Sequence, residues 1–198
     1  MILKKTISWL VKHWKKFVVA IIILFIAVYY AGVYLLDLVG QNHPLAGIKA
    51  PEITIKQLDG TEVSLSSFAG KKAIVLEFWA TWCGPCQNAL PAMEKLAQRY
   101  DPNQVMFLAV NVWDGDVEAI KSFVKEKNIK TVNMFLEKIE EKTDKNRNLE
   151  TSNKFMFHSI PAIFVLDGDL KIRYSFLGYS PFLEKIISRN IDKLVFVN

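Results

Sequence analysis

Residues Phe17–Leu36 run for 20 positions without a charged residue, Asn, Gln or Pro, and no other feature limits so strongly what this chain can fold into. At 1.5 Å per residue a helix of that length spans about 30 Å, the thickness of a bilayer's hydrocarbon core. A helix packed in a soluble core normally keeps a polar face, and this stretch has none. The flanking charges agree. Lys4, Lys5, Lys12, Lys15 and Lys16 precede the stretch, and no acidic residue occurs before Asp37. They are five of 25 basic residues, so the remainder carries 20 basic against 20 acidic residues and the whole net charge of +5 lies ahead of the apolar run. Basic residues beside a span stay on the cytoplasmic side. That predicts a single-pass protein of the cytoplasmic membrane, with the N-terminus inside and everything after Leu36 outside. Trp9 and Trp14 before the run, and Tyr29, Tyr30 and Tyr34 toward its end, suit the two interfaces. The run is longer than a signal-peptide core and no small-x-small site closes it, so an uncleaved anchor is a better reading than a cleaved leader. Because the rest is formally neutral, the basic total is no sign of a nucleic-acid partner.

Four segments follow: a basic N-terminus over 1–16, a membrane anchor over 17–36, a linker over 37–50 with Asn42, Pro44 and Gly47 as breakers, and one α/β domain over 51–198. In the domain, Glu52 to Leu65 alternates around Asp59-Gly60, a hairpin signal. Ser64 to Phe68 reads as a helical turn ended by Gly70. Ala73 to Ala80 is apolar without alternation, as in a strand buried on both faces, interrupted only by Glu77. Gln87 to Tyr100 has helical spacing, with Pro91 inside it as an expected kink. A second buried strand is predicted over Val105 to Val112, an amphipathic helix over Val117 to Lys127 and a short strand over Thr131 to Leu136. Glu137 to Ser152 is strongly polar and reads as a solvated helix or loop. Ala162 to Leu166 and Lys171 to Leu177 form a hairpin around Asp167-Gly168-Asp169. Ser180 and Pro181 supply a cap and first turn for a last helix to about Leu194.

Only two cysteines occur, three positions apart in Trp82-Cys83-Gly84-Pro85-Cys86. A disulfide closing so short a loop removes little unfolded-state entropy and is a poor staple. It suits a redox pair that exchanges one bond repeatedly. Zinc would need two further ligands, and His13, His43 and His158 are scattered. Cys83 follows a buried strand and opens a helix, where unpaired N–H groups and the helix dipole favour thiolate. Cys83 is therefore the expected nucleophile, and Cys86, one turn further in, the resolving thiol. Pro85 restricts the loop and Gly84 leaves its backbone open. Glu77, in an apolar strand, should have its pKa raised by desolvation and is a candidate to exchange a proton with Cys86; the alternative is a surface carboxylate at a strand edge. Trp79 reads as core packing. Trp82 reads as an apolar wall beside the nucleophile.

Phe78-Trp79-Ala80-Thr81-Trp82-Cys83-Gly84-Pro85-Cys86 resembles the active-site signature of the thioredoxin superfamily. With the Leu58-Asp59-Gly60 hairpin and the anchor, residues 48 to 195 resemble its extracytoplasmic TlpA/ResA-like thiol–disulfide oxidoreductases. The resemblance implies a thioredoxin fold: a mixed central sheet flanked by helices, with an N-terminal β-hairpin extension. It further implies an exposed nucleophilic Cys83, a resolving Cys86, and a cis-proline loop at Ile160-Pro161 facing the disulfide and offering backbone groups to substrate. Trp82, Gly84, Pro85, Ile160 and Pro161 are thus the expected substrate-facing residues. Members of that branch often carry a Glu three residues after the second cysteine. Here the position is Ala89, which leaves the acid function to Glu77. The implied activity is reduction of protein disulfides, with apocytochrome c thiols or mispaired cysteines as acceptors and a DsbD/CcdA-like transmembrane electron donor. No cofactor is expected beyond the Cys83–Cys86 disulfide. One rival is an oxidase of the same fold. Another is a copper-binding assembly factor of the SCO-like kind using Cys83, Cys86 and His158, although that family spaces its cysteines differently.

Overall fold

The structure, a computed structural model, describes residues 2–39, 43–113, 116–138 and 150–196. The chain divides into two compact units, Met1–Val39 and Gly40–Asn198. The first is one helix, α1 (Ile2–Val39). It contains the predicted apolar run and continues into the basic segment, which has neither Gly nor Pro to stop it. Its window Trp14–Gly32 is long and apolar enough to cross a membrane, and none of that window is buried.

The second unit is built on a seven-stranded mixed sheet in the order β2-β1-β5-β4-β3-β6-β7. Its strands are β1 (Thr54–Gln57), β2 (Glu62–Ser64), β3 (Ala73–Trp79), β4 (Val105–Asn111), β5 (Asn133–Glu137), β6 (Ala162–Asp167) and β7 (Ile172–Leu177). Its helices are α2 (Gly84–Ala97), α3 (Val117–Glu126), α4 (Glu150–Lys154) and α5 (Leu183–Val195). Strands β3, β4 and β5 are parallel and linked through helices, whereas β6 runs antiparallel to β3 and forms a hairpin with β7. The N-terminal hairpin β1–β2 extends the sheet beyond β5, with Gly60 at φ +92° in its turn, a conformation glycine adopts without steric cost.

Strand β3 is central and buried at all seven positions, as an apolar run interrupted only by Glu77 predicts. Alternation sends Ala73, Val75 and Trp79 into the layer formed with α2, α3 and α5, and Ile74, Leu76 and Phe78 into the opposite layer. That second layer is closed by Leu65 of the helical turn and by Phe155 and Phe157. Phe78 stacks on Phe157 at 4.8 Å and meets Phe155 edge-on at 4.9 Å.

Four expectations need correction. Residues 47–50 are docked rather than linking: Gly47 N–H donates to Ile172 O, Ile172 N–H to Ile48 O and Ala50 N–H to Leu170 O. They shield the free edge of β7 where it begins, so a boundary at 50/51 falls inside a docked segment. The last helix starts at Leu183, because Ser180 Oγ accepts from Phe182 N–H in a separate turn. Helix α2 begins at Gly84, three residues earlier than the Gln87 read from periodicity, and includes Pro91. The polar stretch is not solvated at its ends, since Glu137, Thr151 and Ser152 are buried; its middle, 139–149, lies outside the described residues, as do the linker residues 40–42 and the side chain of His13.

Candidate active site

The site stands at the end of the sheet where the parallel strands β3 and β4 finish. Cys83 is the N-cap of α2, in extended conformation, with Pro85 in the first turn. Its sulfur takes the place that a Ser or Asp oxygen holds in an ordinary cap: Cys86 N–H donates to Cys83 Sγ at 3.2 Å. A helix N-terminus aimed at a sulfur stabilises negative charge there. Cys83 and Cys86 are joined as a disulfide. Cys83 is 5% exposed and Cys86 0%. The outer cysteine is therefore the one expected, but it is covered more closely than an openly exposed nucleophile. The reason is the loop facing it. Ile160–Pro161 is cis, and Ile160 O stands 3.7 Å from Cys83 Sγ.

Glu77 is 1% exposed. Its cross-strand neighbours Ala109 and Ile163 belong to the same apolar layer as Cys86, so alternation turns Glu77 toward that layer. Both carboxyl oxygens are buried without a hydrogen-bond partner. Burial with nothing to stabilise the anion pushes its pKa from 4.5 up to about 8, and the neutral acid prevails below that pH. The edge-strand alternative for Glu77 is excluded. Ala89 is fully buried in the same layer, and Trp79 packs against Phe123 at 5.0 Å.

Trp82 is 53% exposed beside Cys83. It stacks on Trp113 at 6.5 Å and 15° between planes, and Trp113 in turn meets Phe157 at 6.0 Å. Gly84 is open, with nothing near where a Cβ would stand. His158 is exposed, and among the described residues no three His, Cys, Asp or Glu side chains are grouped so as to hold a metal ion. His43 lies half-buried, edge-on to Phe164 at 5.2 Å; burial lowers its pKa.

Three residues of consequence were not legible in the sequence. Trp113 lies just past the strand predicted over Val105 to Val112, and its meeting with Trp82 follows only from β3 and β4 being parallel neighbours. Glu94 is buried and accepts from Thr131 N–H at 2.8 Å, Val132 N–H at 3.0 Å and Gln98 Nε2 at 2.8 Å. Desolvation acts to raise its pKa, but these bonds outweigh it and the net shift is downward. Glu94 thereby pins α2 to the turn before β5. Glu137 is buried at the end of β5; desolvation raises its pKa, with Thr151 and the Trp113 backbone N–H acting in the opposite direction.

A mixed sheet whose central strand delivers a Cys-x-x-Cys disulfide to a helix N-terminus, faced by a cis-proline loop, defines a protein of the thioredoxin fold. Residues 46–175 match the AhpC/TSA family, and the chain belongs to that family. Among curated proteins it is similar to the thiol-disulfide oxidoreductase ResA of Bacillus thuringiensis subsp. konkukian (strain 97-27), 36% identical over 84 residues, which is 42% of this chain and 47% of the relative. It is also similar to ResA of Bacillus anthracis, 27% identical over 132 residues, 67% of this chain and 69% of the relative. The chain thus spans about half the length of the first of these relatives. Among solved structures, the thioredoxin domain of a thiol-disulfide oxidoreductase from Bacteroides vulgatus superposes with a TM-score of 0.63 at 23% identity, covering 76% of this chain and 97% of that one. A thiol:disulfide interchange protein of the thioredoxin family from Chlorobium tepidum TLS gives 0.58 at 22% identity, over 74% and 94%. At these identities the structural likeness is one of fold.

Proposed function

We propose that this chain is a membrane-anchored thiol–disulfide oxidoreductase that reduces protein disulfides outside the cytoplasmic membrane. The observation that carries the reading is Cys83 Sγ held at the N-terminus of α2, under the Cys86 N–H and opposite the cis-Pro161 loop. The resting disulfide must first be opened by a dithiol donor, which the resemblance makes a DsbD/CcdA-like membrane protein. In the reduced chain the Cys83 thiolate attacks a substrate disulfide. A Cys83–substrate bond forms, the substrate S–S bond breaks and one substrate thiolate leaves. Cys86 then loses its proton and attacks Cys83 Sγ, closing Cys83–Cys86 and releasing the second substrate thiolate, so two electrons pass to the substrate. Glu77, on the same side of the sheet as Cys86, is the group assigned to take that proton, which it does from its ionised form, so this step should speed up as pH rises toward about 8.

Trp82, Gly84, Pro85, Ile160 and Pro161 form the substrate-facing surface, and an extended substrate segment can pair with the Ile160–Pro161 backbone. The disulfide itself is the only redox group the reaction requires. The apolar helix with lysines on its N-terminal side supports an anchor with the N-terminus inside, and disulfides of apocytochrome c or of mispaired exported proteins are the acceptors proposed. The test is reduction of insulin disulfides by the full chain in detergent with dithiothreitol as donor. Turnover at least about tenfold above the dithiothreitol background, abolished in Cys83→Ser, is expected. Turnover no faster than the background would overturn the reading.

A further inference from the structure

We propose that Trp113 is a positioning residue for substrate selection. It backs the indole of Trp82, so that Trp82 offers a rigid flat face to an aromatic or large apolar side chain close to the substrate's reacting cysteine. The proposal rests on the reductase reading and adds to it which polypeptides the site prefers.

The placement follows from the sheet. Trp82 leaves β3 and Trp113 leaves β4, its parallel neighbour, and Val112 N–H donates to Trp79 O at 2.8 Å, stitching the two exits together. The rings are near-parallel, 15° apart at 6.5 Å, an offset stack of the favoured kind. Trp113 is itself held from three sides. Its backbone is in the left-handed region at φ +67°, which a bulky residue keeps only when its surroundings impose it. Its backbone N–H acts on the buried carboxylate of Glu137, favouring the anion there. Its ring rests on Phe157, which stacks on Phe78 of the central strand. A chain of aromatic contacts thus runs from the core to the half-exposed Trp82, and a platform so fixed loses little freedom when it binds.

The occupant is argued from position. Across the same end of the sheet, beyond Cys83, comes Pro161, and Gly178 N–H donates to Pro161 O at 2.7 Å. That bond brings exposed Leu177 and Tyr179 beside the loop. Cys83 therefore sits within an apolar row crossing β4, β3, β6 and β7. Such a row suits an extended polypeptide with apolar residues flanking its cysteine. Neighbouring strands lie about 4.8 Å apart and extended residues advance about 3.3 Å, so the platform falls within one or two residues of the reacting sulfur.

The probes are two short peptides, each carrying one cysteine capped as a mixed disulfide with glutathione, with either Phe or Ser two residues from the cysteine. For the full wild-type chain in detergent, kcat/KM should favour the Phe peptide about fivefold, which is about 1 kcal/mol, with the difference in KM. Trp113→Gly should bring the ratio to about one, and Trp113→Phe should restore most of it, a pattern that mere loss of stability would not produce. If the glycine variant does not fold, Trp113→Leu, which keeps bulk without a flat face, should also give about one. A wild-type chain that reduces both peptides at equal kcat/KM overturns this proposal and leaves the reductase reading standing. Retention of the preference in Trp113→Gly or Trp113→Leu also overturns it. Failure to reduce either peptide overturns both.

Discussion

Cys83→Ser should abolish disulfide reduction, by at least about a thousandfold, whereas Cys86→Ser should halt after one half-reaction with substrate covalently attached to Cys83. The asymmetry comes from position. Cys83 Sγ receives the Cys86 N–H at the helix N-terminus, where a thiolate is favoured. Cys86 is wholly buried in the layer beneath, so it can reach Cys83 but no external disulfide. Without it the mixed disulfide has no internal thiol to release it. Non-reducing electrophoresis and mass spectrometry after mixing reduced Cys86→Ser with insulin should reveal a stoichiometric adduct. If the adduct formed instead in Cys83→Ser and not in Cys86→Ser, the roles assigned to the two sulfurs would be reversed.

Glu77→Gln should have the second-largest effect, and on two observables. In turnover, removal of the carboxyl should slow resolution about a hundredfold, the low end for loss of a positioned acid–base group, and flatten the pH dependence near 8. In stability the effect has the opposite sign. A carboxyl that titrates near 8 in the folded chain and near 4.5 in the unfolded one binds its proton more tightly when folded. Below about pH 4.5 both states are protonated and the burial is tolerated. As pH rises from there to about 8 the folded state is penalised progressively, by at most about 1.4 kcal/mol per pH unit. Above about 8 the penalty is complete. Denaturant midpoints should therefore fall between pH 6 and pH 9 for the wild-type oxidised chain, and this component of the fall should be missing in Glu77→Gln. Equal falls in both chains would show that Glu77 does not titrate there.

What the sequence makes legible is what local pattern and strand burial decide. Residues Ala73 to Ala80 have no polar alternation because β3 is covered on both faces, and the strand-to-helix junction at Cys83 follows from that run meeting Gly84-Pro85. Asp59-Gly60 announces its hairpin because Gly60 takes a positive φ in the turn, and Asp167 because its carboxylate accepts from Asp169 and Lys171 N–H across the next one. The contacts that remained hidden are set by neighbours distant in the chain. Nothing in the helical spacing around Glu94 marks it as an anchor, because the two N–H groups it accepts come from the turn at 131–132. Glu137 looks solvated until Thr151 and Trp113 close over it. The docking of 47–50 onto the start of β7 has no periodic signature, since its hydrogen bonds are backbone groups any residue supplies. The near-complete covering of Cys83 also depends on a loop 77 residues away.

The reduction potential of Cys83–Cys86 decides the direction of electron flow. The Gly-Pro pair between the cysteines and Ile160 before the proline resemble thioredoxin. Equilibration of the full chain in detergent with dithiothreitol and glutathione redox buffers, read by thiol alkylation, should accordingly give a value near that of thioredoxin, about −270 mV. A value near −120 mV, as in strong disulfide donors, would rule out the reductase direction and make this chain an oxidase.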